Sequence, residues 1–89
     1  MTKRKELIEK LGFLAPVVER VHGTSHPELH EVKKLAEKIQ EKYEAEKFDE
    51  TTKTFQAVQR VTDYYTLPED ACEGYIELYM TLKSLDESR

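Results

Sequence analysis

Apolar residues recur at spacings of three and four along almost the whole chain, and no stretch sustains the two-residue alternation of a half-buried strand. This periodicity confines the fold to helices that each bury one face. The first stripe is Leu7, Leu11, Leu14, Val18 and Val21, widened by Ile8 and Val17. Pro16 lies inside it. Proline lacks a backbone donor and crowds the preceding turn, so a kink or break is expected between Gly12 and Pro16. Gly23 is expected to stop the helix by entering the left-handed conformation.

Ser25 and Glu28 have capping-box spacing, and Pro27 suits a first turn, so a second helix is expected there. Its stripe is Leu29, Val32, Leu35, Ala36, Ile39 and Tyr43. Asp49 or Thr51 can cap a third helix that carries Phe55, Val58, Val61, Thr62 and Tyr65. Pro68 is expected to restart the chain as a first-turn residue, with Glu69 and Asp70 favourable near the positive end of the helix dipole. The last stripe is Ala71, Tyr75, Leu78, Tyr79, Leu82 and Leu85. Short connections make sequential helices antiparallel. Residues 1–89 therefore read as a single all-α domain, an up-and-down four-helix bundle.

Composition narrows the function. One cysteine cannot form an internal disulfide, which excludes a disulfide-stapled scaffold. The longest apolar run, Phe13 to Val18, is far short of the roughly 20 residues of a membrane span. The basic start at Lys3, Arg4 and Lys5 leads into Glu6, Glu9 and Lys10 rather than a signal-peptide core, so a cytoplasmic, non-membrane protein is expected. Eighteen acidic against fourteen basic residues give a net charge of -4, which argues against a nucleic-acid partner. Lys33, Lys34, Lys38 and Lys42 alternate with Glu31, Glu37 and Glu41, as on a solvated helix face with i,i+4 pairs.

Three histidines, His22, His26 and His30, are spaced by four, with Gly23 and Pro27 breaking the helix between them. A tight corner would bring two or three of them together. With Glu19 they make a candidate metal set, Glu19, His22, His26 and His30, because imidazole suits zinc, iron, copper and nickel. Structural roles fit the same residues: His22 as a cation at a helix C-terminus, His26 at a helix entry, His30 in solvent. Cys72 is the one thiol. It is expected in the first turn of the last helix, as a small buried residue or as a reactive thiol. No histidine is near it in sequence to act as a base. Tyr75 and Tyr79 share a face and suit a core or a homodimer interface. Glycine-rich phosphate loops and serine nucleophile elbows are absent from the sequence, and enzymatic turnover is not expected.

Two stretches carry a resemblance. Val21-His22-Gly23-Thr24-Ser25-His26-Pro27-Glu28-Leu29 and Thr62-Asp63-Tyr64-Tyr65-Thr66-Leu67-Pro68-Glu69-Asp70-Ala71-Cys72-Glu73-Gly74-Tyr75, continuing to Leu78-Tyr79, together resemble the hemerythrin-like domain of the RIC-type iron–sulfur cluster repair proteins. The resemblance runs over roughly residues 14 to 86, in the same order. It implies a cytoplasmic helical bundle acting in repair of iron–sulfur clusters under oxidative or nitrosative stress. The family holds a di-iron centre through histidines and glutamates on four helices, and this chain does not match that ligand set. The first ligand histidine would fall at or before Met1. Glu46 and Glu50 stand where a His-Glu pair is implied, without the histidine. Residues 48–52 offer no ligand histidine, and the last ligand segment would follow Leu85. The expectation is a short, ligand-depleted relative with an accessory or binding role in iron–sulfur maintenance, self-associating as a homodimer in the way the tyrosine face suggests. The alternatives are a metal-binding protein with an intersubunit His/Glu site, and a helical interaction module unrelated to iron. Iron is the cofactor that the resemblance raises.

Overall fold

A computed structural model describes residues 2–88. The chain forms α1 (Thr2–His22), α2 (Glu28–Glu44), a 3-10 turn (Phe48–Glu50), α3 (Thr52–Val61) and α4 (Glu73–Glu87), with no strand among the described residues. The result is the expected four-helix bundle. α1 packs against α2 and α4, and α2 packs in turn against α3 and the 3-10 turn. None of the described helices is long and apolar enough to cross a membrane.

The stripes meet in one core. Ile8, Leu11, Leu14, Ala15 and Val18 of α1 pack with Leu29, Val32, Leu35, Ala36 and Ile39 of α2, Phe55 and Val58 of α3, and Tyr75, Leu78, Tyr79, Leu82 and Leu85 of α4. Several expected stripe positions differ. Leu7, Tyr43, Val61, Tyr65 and Ala71 are only partly buried, as is Val17, and Val21 is 63% exposed. The α1 stripe therefore follows 8, 11, 15 and 18, which carries His22 rather than Val21 inward.

Several helix boundaries depart from the sequence expectations. Pro16 lies within α1 without breaking it. Near it, Gly12 leaves room for the Gln40 side chain, whose amide donates to the Ile8 carbonyl at 3.4 Å. Gly23 is not left-handed, since none of the glycines has positive φ. It is buried, and a Cβ there would overlap the Glu19 carbonyl oxygen and sit 3.2 Å from His30 Cε1. The residue is required for space, not for conformation. The Ser25–Glu28 box does not form: α2 begins after Pro27, with no side-chain cap.

α2 and α3 end alike, by a device that needs no glycine here. At α2, Lys47 N–H donates to Lys42 C=O and Glu46 N–H to Tyr43 C=O, with Glu46 at φ 61°. At α3, Tyr64 N–H donates to Gln59 C=O and Asp63 N–H to Arg60 C=O, with Asp63 at φ 52°. These are Schellman closures with acidic residues at the left-handed position. After α3 the left-handed run continues through Tyr64 and Tyr65. Buried Thr62 supports it, its hydroxyl donating to Val58 C=O at 2.7 Å and accepting from Tyr65 N–H at 2.9 Å. α3 thus stops before Tyr65. Pro68 does not open α4 either: residues 66–72 are irregular, and Pro68 C=O accepts from Ala71 N–H in a turn.

Candidate functional site

The end of α1, the α1–α2 connection and the segment leading into α4 converge on one corner of the bundle. Tyr75, in the first turn of α4 and fully buried, is its floor. The rings of His22 and His26 both meet Tyr75 edge-on, with centroids 5.4 Å away in each case. The Tyr75 hydroxyl lies 3.4 Å from Glu28 Oε2, to which it donates. Burial first, then neighbouring Tyr79 and Glu28, push the Tyr75 hydroxyl far above the ordinary phenol range. Burial raises Tyr79 as well.

Cys72 departs from its expected place. It is the N-cap of α4, with extended backbone and no side-chain cap bond, and it is exposed. Its Sγ lies 2.9 Å from His22 Nε2. The neutral pair has the thiol donating to Nε2; after proton transfer, Nε2–H donates to the thiolate. No histidine is near Cys72 in sequence, and the fold supplies one from 50 residues upstream. Nucleophile and base within hydrogen-bond reach, the base steadied by a third group, is the arrangement that activates a thiol.

His26 is held by a different set. Its Nε2 lies 3.1 and 3.2 Å from the two Asp70 carboxylate oxygens, and its Nδ1 lies 3.4 Å from Glu28 Oε2. The hydrogen bond from His26 holds the Asp70 carboxyl below its ordinary value. His30, on the first turn of α2, pairs through Nδ1 with Glu19 Oε2. The four residues of the candidate metal set are thus divided among three separate partnerships: Glu19 with His30, His22 with Cys72, and His26 with Asp70 and Glu28. Among the described residues no group of three or more His, Cys, Asp or Glu side chains is placed to hold a metal ion. Glu46 sits in the left-handed turn after α2, and Glu50 pairs with Lys42 at 3.1 Å, so neither joins the histidines. The implied ligand at or before Met1 lies outside the described residues.

The opposite end of the bundle carries an open groove of about 590 Å³ lined by Lys3, Arg4, Leu7, Tyr43, Ser84, Glu87 and Ser88. Arg4 is already committed there, stacked 4.4 Å over the Phe48 ring and donating to the Ser88 carbonyl.

No family model, no curated protein and no solved structure matches the chain. The corner therefore has to be read from its own chemistry. It contains a paired thiol and imidazole, a carboxylate-held second imidazole and a buried phenol. Asp70 and Cys72 are the residues whose placement the sequence did not reveal. Both are drawn to histidines more than 40 positions away.

Proposed function

We propose that the protein is a small cytoplasmic helical accessory protein of iron–sulfur maintenance, related to the RIC-type repair proteins and active under oxidative or nitrosative stress. One observation carries the reading. The two stretches that resemble the repair family are far apart in the chain, yet they touch side chain to side chain: His22 with Cys72, His26 with Asp70 and Glu28 with Tyr75. Residues that merely cap helices have no reason to pair across the bundle, whereas a shared working corner explains why both stretches resemble the same family. The separate partnerships of the histidines favour a binding or accessory role over a di-iron centre within one chain. Tyr75 and Tyr79 are buried in the core, so the tyrosine face is not a homodimer interface, and self-association would rest on exposed Phe13 and Val21 of α1.

The test is recovery of a [4Fe–4S] dehydratase in cells exposed to nitric oxide, with and without the gene, together with metal content and molar mass of the purified protein. Slower recovery without the gene, restored by the wild-type chain but not by His26→Ala, is expected. Unchanged recovery overturns the reading. Stoichiometric iron in a purified dimer replaces the accessory role with the intersubunit metal site.

A further inference from the structure

Cys72 and His22 form a pair on the surface to which the iron–sulfur reading assigns no chemistry of its own. Three features set the pair apart from a thiol that is simply exposed. The imidazole comes from another helix, with Nε2 2.9 Å from Sγ. The ring is steadied at 5.4 Å by fully buried Tyr75. At the helix N-cap the side chain makes no capping bond, so the thiol is free to serve His22 alone. We propose that Cys72 is a base-assisted monothiol that exchanges with small disulfides, and that it takes positively charged ones in preference to negatively charged ones.

The reaction balances within the pair and one co-reactant, a small disulfide. The Cys72 proton passes to His22 Nε2. The thiolate attacks one sulfur of the disulfide, a new S–S bond forms to Cys72, and the old S–S bond breaks. The departing thiolate takes the proton back from His22. Cys72 is oxidised, and half of the disulfide is reduced. The chain has one cysteine, so no internal thiol resolves the mixed disulfide; it persists until an external thiol removes it.

The charge preference follows from the surroundings. Glu69, Asp70 and Glu73 flank Cys72 in the chain and are exposed. Glu19 and Glu28 face the corner from α1 and α2 through His30 and His26. His26, beside Asp70 and Glu28, and His30, beside Glu19, offset two of these five carboxylates at most. An acidic rim concentrates cations and repels anions, and salt weakens the effect.

The experiment follows mixed-disulfide formation on the full chain by mass spectrometry, with cystamine and dithiodipropionate as cationic and anionic probes. Near pH 7, where an unassisted thiol is mostly protonated, the wild-type chain is expected to react about tenfold faster than His22→Gln. The two rates are expected to converge near pH 10, where a thiol ionises without help. Lost structure in His22→Gln would not produce that convergence. Cystamine is expected to outpace dithiodipropionate by at least about threefold at low salt, with the gap closing at high salt. Equal rates for wild type and His22→Gln at pH 7 overturn the dyad, and an anionic probe that reacts as fast as the cationic one overturns the charge preference. Neither result bears on iron–sulfur recovery, because the assay contains no cluster.

Discussion

Gly23 offers a sharp test of how the corner is built. The residue is buried and has no positive φ, so alanine meets no backbone strain there. Taken alone, Gly23→Ala would stabilise the chain by about 0.4–1 kcal/mol through the lost entropy of the unfolded state. The structure opposes this with a steric cost. The added Cβ overlaps the Glu19 carbonyl oxygen and presses on His30 Cε1 at 3.2 Å. The first of these is backbone inside α1, and it accepts the Gly23 N–H at 2.8 Å, so it cannot swing aside as a side chain can. Overpacking of this kind costs about 1–3 kcal/mol. The net expectation is a loss of about 1–2 kcal/mol. A chain of this length holds about 4–13 kcal/mol in total, and a urea slope of about 1–3 kcal/mol/M makes the midpoint fall by about 1 M. Gly23→Asn separates this account from a left-handed cap, because asparagine tolerates positive φ. It is expected to lose at least as much as alanine. A neutral or stabilised alanine variant, or an asparagine variant near wild type, refutes the spatial argument. Gly12→Ala is the internal contrast. Its Cβ meets only the flexible end of Gln40, so its midpoint is expected to stay within about 0.5 M of wild type.

Two further outcomes follow from the same geometry. Tyr64 is left-handed at φ 57° and 73% exposed, so Tyr64→Gly relieves about 1–2 kcal/mol of backbone cost without losing packing; after the entropy of the unfolded glycine, its urea midpoint is expected to rise, and a fall would show that the left-handed run is not strained. Tyr75 keeps its proton in the folded state well above the value near 10 at which the unfolded chain releases it, so its contribution is intact below about pH 10 and is lost as pH rises beyond; between pH 8 and 11 the wild-type chain should therefore lose about 1 kcal/mol more stability than Tyr75→Phe, and equal losses in urea titrations at the two pH values would exclude the buried phenol as the cause.

What the sequence revealed and what it hid divide along a physical line. Helical periodicity is local, and the core of α2 and α4 follows it residue for residue, from Leu29 to Ile39 and from Tyr75 to Leu85. Helix ends are governed by local signals too, but only where the usual residues carry them. Glu46 and Asp63 close their helices in the left-handed position, where glycine is the expected marker, so the sequence carried α3 too far. Pro68 marked a boundary but not its side: the intervening residues turn back on the Pro68 carbonyl before α4 begins.

The candidate site was hidden for a different reason. Each residue type is visible in the sequence, the three histidines and one cysteine among them, but their partners are set by tertiary structure. A spacing of four suggests that His22, His26 and His30 act together. The bundle instead assigns each to a different carboxylate or thiol. The deciding residue is Tyr75. Because α1 buries its face along 8, 11, 15 and 18, the next position on that face is His22, and the start of α4 must pack against it. The first turn of α4 places Tyr75 there, and the residue three before it, Cys72, is thereby brought to His22. A shift of the α1 stripe by one position, to end at Val21 as the sequence suggested, would have turned His22 outward and left the thiol without a partner. The chemistry of the corner thus depends on the register with which α1 fills the core.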